Sequence, residues 1–167
     1  MSKRAAREPK AAMKDSSAMQ HEFRVTGHWQ GGRAGQGETA AQHVSTTISL
    51  PKELGGAARG TNPEEMLFTT AAACYLITLG IILEKRGIAT ERLDVVTTGT
   101  MDDEKLKITK IVHEPKVTLM AAPTAEQKTS LAEAIQRAEQ MCLISNAIRG
   151  NVEVTVVWNE ASCESPR

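Results

Sequence analysis

The chain has 167 residues, with twenty Lys and Arg against twenty Asp and Glu, 41% apolar residues, 24% charged residues and only 3% aromatics. That is enough chain for one domain with its own core. Zero net charge and few aromatic side chains leave neither the cationic surface nor the stacking platform that nucleic-acid binding needs. Three widely spaced cysteines (Cys74, Cys142, Cys163) and four histidines without ligand spacing argue against a disulfide framework and a structural zinc site, so no metal is expected.

Residues 1–20 read as a disordered tail, with five basic residues, two acidic ones and almost nothing large and apolar over 1–19. Alternation at Phe23, Val25 and Trp29 predicts a strand that runs into the glycine-rich loop Gly31–Gly37. The loop lacks GxGxxG spacing and no helix follows it, so it is not a phosphate cradle. Val44, Thr46, Ile48 and Leu50 predict a second strand, forming a hairpin with the first around that loop. Asn62-Pro63-Glu64-Glu65 combines an N-cap, a first-turn proline and two acids at the positive end of a helix dipole. The helix should run to about Arg86 and stop at Gly87.

Within that helix, Met66 to Leu83 carries no charge. At ~1.5 Å per residue this is about 27 Å, the span of a bilayer core. Its threonines, glycine and alanines make it only moderately hydrophobic, and it stands alone. It is therefore read as a central helix buried on all sides, and no membrane association is expected. Leu93 to Thr98 predicts a third strand and Leu106 to Met120 a fourth, with Pro115 at a bulge or edge position. Thr124 and Gln127 form a capping box. Leu131, Ile135, Ala138, Met141/Cys142 and Ser145 then share one face of a second helix. Gly150-Asn151 turns the chain into a last strand, Val152 to Trp158. The order ββαββαβ is α+β, with antiparallel sheets around two central helices. The expected divisions are a tail over 1–20, one domain over 21–160 and a C-terminal tail over 161–167.

Cys74 lies mid-helix and Cys142 on the apolar face of the second helix. Both fit two readings: small core hydrophobes, or a reactive pair in which one thiolate attacks an oxidant and the other resolves it as a disulfide. Cys163 reads as an idle surface thiol. Arg33 in the glycine loop fits a solvated cation, and Glu64 fits a macrodipole partner.

Three stretches resemble one family. Gly60-Thr61-Asn62-Pro63-Glu64-Glu65-Met66-Leu67, followed by Ala71-Ala72-Ala73-Cys74, looks like the first-cysteine motif of the OsmC/Ohr family (osmotically inducible protein C and the organic hydroperoxide resistance proteins). Cys142 to Val152 resembles its second-cysteine motif, and Trp29 to Gly37 the loop carrying its catalytic arginine. The resemblance spans about residues 22–158. It implies a cytoplasmic, intertwined homodimer with two sites at the interface, and a thiol-dependent peroxidase without metal or organic prosthetic group. By the same resemblance, Cys74 is the peroxidatic thiol and Cys142 the resolving one. Arg33 lowers the Cys74 pKa and orients the hydroperoxide substrate, and Glu64 holds Arg33 by a charge-assisted hydrogen bond. A dithiol, such as a lipoyl group, would be the reductant. Leu143 stands where the peroxidase branches usually have proline, and Phe68-Thr69-Thr70 also departs from the pattern. A non-catalytic thiol sensor or small-ligand-binding protein on the same fold is the alternative. Glu64 and Cys74 are ten residues apart, about 15 Å along an unbroken helix, so the motif spacing favours a site shared between two copies.

Overall fold

The computed structural model of the protein describes residues 20–165. The tail expected at the N-terminus lies almost wholly outside them. Near that end, β1 (Thr26–Gln30), β2 (Gln36–Ala41) and β3 (Val44–Ser49) form an antiparallel meander. This corrects the two-stranded hairpin: the second half of the glycine loop is itself a strand, and β1 and β3 both pair with β2 rather than with each other. The register Trp29↔Gly37 brings the His28 carbonyl so close to Gly37 that a Cβ there would overlap it. The glycine thus serves close strand approach, a role that a motif search for turns does not register.

Helix α1 (Pro63–Lys85) starts as expected. The Asn62 side chain accepts from the Glu65 amide at 2.8 Å, and Pro63 occupies the first turn. Gly87 follows the helix at φ 66°, a left-handed conformation that glycine adopts freely. Tyr75, Leu79 and Leu83 on one face of α1 meet Leu131, Ala134, Ile135 and Ala138 of α2 (Ala125–Met141) and Val117 and Leu119 of the sheet. The opposite face is open. Ile77 is 65% exposed and Ile81 46% exposed, and only 28% of the helix's most apolar stretch is buried. Burial on all sides is therefore corrected for the single chain. The helix has the length and hydropathy to cross a bilayer, yet it supplies one wall of this core.

The second sheet is built on two long antiparallel strands, β4 (Thr90–Asp102) and β5 (Lys107–Leu119). The short β6 (Glu153–Val156) adds to β5 in parallel, because α2 and α3 (Leu143–Ile148) carry the chain back across the sheet before it re-enters. Residues 160–162 form a 3₁₀ turn, and β7 (Cys163–Glu164) then pairs with Val117 and Thr118 of β5, also in parallel. Pro115 pairs with Val95 on one side, while its other side falls in the gap between β6 and β7. The expected edge-like position is found inside a continuous strand, and the bulges lie elsewhere, near Thr90/Arg92 and Thr100/Met101. The surface position expected for Cys163 is corrected: the residue is half-buried against the main core, and burial pushes its pKa up.

The second helix also differs from expectation. It ends at Met141; Cys142 is extended (φ −66°, ψ 122°) and caps the separate helix α3. Cys142 and Ser145 are buried, whereas Met141 is half-exposed, so the single apolar face predicted through Ser145 is split by a break.

His113 of β5 is wholly buried, stacked on Tyr75 at 4.7 Å, with Nδ1 2.8 Å from the Thr97 hydroxyl. Burial pushes its pKa down to about 4. The unfolded chain takes up this proton below about pH 6.5, while the folded chain resists until about pH 4. Stability from this group is therefore complete above about pH 6.5 and is lost as the pH falls towards 4. Urea unfolding across that window should record a loss of up to about 3 kcal/mol from His113. The loss should be absent from the pH profile of His113→Gln.

Candidate functional site

The break at Cys142 swings its thiol onto α1, and the hydrogen bond from Cys142 Sγ to Cys74 Sγ is 2.6 Å long. The two residues are 68 apart in sequence, and both are free thiols. Their surroundings differ. Cys142 is completely buried and its Sγ accepts from the Ser145 amide at 3.4 Å. Cys74 is half-buried and lines a groove of about 930 Å³. Ile77 and Ile81 of α1 form one wall, Met141, Leu143 and Ile144 the other.

The environments push the two pKa values apart. Burial pushes the Cys74 thiol up, but it is outweighed by hydrogen bonds from Cys142, from the amides of Ile144 and Leu143, and from the Thr78 hydroxyl, so the net direction is down. Burial pushes Cys142 up and the contact with Cys74 adds to it, against smaller help from the Ser145 amide and hydroxyl. The thiolate form is thus favoured at Cys74 and disfavoured at Cys142.

Arg33 and Glu64 lie at the other end of α1. Arg33 is exposed, and its Nη1 donates to the Leu54 carbonyl while its stem lies over Gly55. Glu64 is half-buried, and its Oε2 is buried without a hydrogen-bond partner among the described residues. Leu54 and Glu64 line the same small cavity with Phe68 and Gly99. No ion pair joins Arg33 to Glu64 among the described residues. Because α1 is continuous, Glu64 sits about 15 Å from Cys74 in the same chain. The structure therefore brings Cys74 to Cys142, brings Glu64 near the residue that anchors Arg33, and keeps these two groups apart. Arg33 is not among the groups that lower the Cys74 pKa within one chain.

Four contributors carry no motif signal of this role in the sequence: Thr78, the Leu143 and Ile144 amides, and Ser145. Thr78 was within reach, being one helical turn from Cys74. The amides were hidden because nothing in Met141-Cys142-Leu143 announces a break. Leu143 occupies the first position of α3, where proline is also well suited. Its departure from the family pattern leaves this backbone position satisfied.

A family model described as OsmC-like protein matches residues 55–157. The chain is 38% identical over 136 residues to the uncharacterised protein YmaD of Bacillus subtilis (strain 168), covering 80% of this chain and 91% of that one. It is 32% identical over 129 residues to the organic hydroperoxide resistance protein of Xanthomonas axonopodis pv. citri (strain 306), covering 75% and 87%. Among solved structures, an OsmC-like protein from Mycoplasma pneumoniae shares the fold at TM-score 0.69 and 20% identity, covering 84% of this chain and 98% of that one. An organic hydroperoxide resistance protein OsmC from Legionella pneumophila matches at TM-score 0.63 and 25% identity, covering 84% and 99%.

The split between the thiols can be read chemically. Limited alkylation of the reduced protein with iodoacetamide near pH 7, followed by peptide mapping, should label Cys74 well ahead of Cys142. Equal labelling of the two would contradict the asymmetry.

Proposed function

The chain belongs to the OsmC-like protein family, and on that premise we propose that it is a thiol-dependent peroxidase of the cytoplasm, reducing organic hydroperoxides in preference to hydrogen peroxide. The Cys74 thiolate attacks the terminal oxygen of the hydroperoxide. The O–O bond breaks, the alkoxide leaves and takes a proton from water to become the alcohol, and Cys74 carries a sulfenic acid. Cys142 then attacks that sulfur, water leaves, and a Cys74–Cys142 disulfide remains. A dithiol reductant restores both thiols. The observation that carries this reading is the direct contact between a thiol pushed down and a buried thiol pushed up. Relatives named for organic hydroperoxide resistance support the substrate class, and so does the apolar groove beside Cys74.

The working unit in this reading is a homodimer. Ile77 and Ile81 leave an apolar face uncovered on α1, and β1 is exposed along its length, Trp29 included. A second copy packed on these surfaces would bury them and could bring its Arg33 and Glu64 to Cys74, from which α1 holds the chain's own Glu64 about 15 Å away.

One equivalent of cumene hydroperoxide should lower the intact mass of the reduced protein by two hydrogens and map a Cys74–Cys142 disulfide. Cys74→Ser should consume no peroxide, since a serine alkoxide is not available near neutral pH. Cys142→Ser should complete one turnover and stop with an oxidised Cys74. Full turnover by Cys74→Ser would overturn the assignment. A single stoichiometric oxidation that no dithiol can reverse would identify the thiol-sensor alternative.

A further inference from the structure

The two sulfurs of the proposed disulfide are unequally placed, and this has a consequence for its reduction, which rests on the reading above. We propose that the reducing thiol attacks Cys74 and that Cys142 departs as the thiolate, received by the amide and hydroxyl of Ser145. An incoming thiolate can reach only an accessible sulfur. Cys74 lines the groove and is half-buried, whereas Cys142 is at 0% exposure and is not part of the groove wall. A second copy of the chain could only add to this burial.

A buried sulfur that leaves with a full negative charge needs donors in place. Ser145 supplies two. Its amide already donates to Cys142 Sγ at 3.4 Å. Its hydroxyl is buried, with Ser145 only 1% exposed; it lies close enough to Cys142 to favour the thiolate, yet makes no well-formed hydrogen bond among the described residues. An orphaned hydroxyl beside a sulfur is costly in the resting thiol and rewarded when that sulfur becomes a thiolate. The residue thus acts as a positioning residue for the leaving group. Both Ser145 groups favour the Cys142 thiolate against the opposing burial.

The exchange balances in two steps. A thiolate of the dithiol bonds to Cys74 Sγ as the Sγ–Sγ bond breaks, and the electron pair leaves on Cys142. The second thiol of the reductant, as thiolate, then attacks its own sulfur in the mixed disulfide. A cyclic disulfide departs, Cys74 is released as thiolate, and the proton lost by the second thiol is taken up by Cys142.

The test installs the disulfide with diamide, so that it does not depend on peroxide activity. The oxidised protein is treated briefly with the monothiol N-acetylcysteine, quenched in acid and mapped after alkylation. The expected product carries N-acetylcysteine on Cys74 and the alkyl group on Cys142. An adduct on Cys142 with Cys74 alkylated would overturn the proposal while leaving the peroxidase reading standing. If peroxide forms no disulfide in a separate sample, that reading fails instead. Ser145→Ala should slow monothiol reduction of the disulfide about tenfold, the effect of ~1.4 kcal/mol lost from one hydrogen bond to a charged group. It should also move the Cys142 thiol pKa further up, with Cys74 still the sulfur attacked. Unchanged reduction rate and unchanged Cys142 titration in a folded Ser145→Ala would remove Ser145 from the step.

Discussion

Helix α1 runs unbroken from Pro63 to Lys85, and its rigidity sets what the rest of the chain must supply. A continuous helix fixes Glu64 and Cys74 at about 15 Å and allows no bend to close that distance. One face of the rod is held by α2 and the long strands through Tyr75, Leu79 and Leu83. The other face carries Cys74 into a groove and leaves Ile77 and Ile81 without cover. A second thiol can therefore meet Cys74 only from another element of the chain, and in the proposed function the arginine is supplied by a second copy.

The first requirement is met by a break in the chain. If α2 had continued through Ser145, Cys142 would be one more apolar residue on a helix face. The extended conformation at Cys142 turns its thiol onto Cys74 and starts α3, whose first two amides help to lower the Cys74 pKa. The same turn buries Cys142 and pushes its thiol pKa up. One local change of backbone direction thus creates both the contact and the asymmetry between the two sulfurs.

Much of this was legible in the sequence where a residue type has one strong local meaning. Asn62-Pro63 and the Thr124/Gln127 capping box mark the helix starts observed. Gly87 marks the end of α1. The cysteines could be paired from their resemblance to a known motif set, and the structure places them in contact. What was hidden depends on tertiary pairing. Strand β2 was masked because Gly35-Gln36-Gly37 looks like loop, while Gly37 is needed for the close approach of His28. The parallel pairing of β6 and β7 follows from the route of the chain and has no composition signal. The break at Cys142 carries neither glycine nor proline. Its cause is the packing of Cys142 and Ser145 into the interior, which periodicity alone reads as one continuous face.

The proposal that Arg33 of a second copy completes the site at Cys74 is the central claim about how the site works. It is tested most directly by heterodimers of Cys74→Ser chains and Arg33→Ala chains, purified through two different affinity tags and assayed for organic hydroperoxide reduction. Each parent homodimer should be inactive or nearly so. If Arg33 acts across the interface, the heterodimer holds one complete site of two and should recover about half of the wild-type rate. Activity no higher than that of the parents, in a dimer proven to contain both chains, would contradict the shared site.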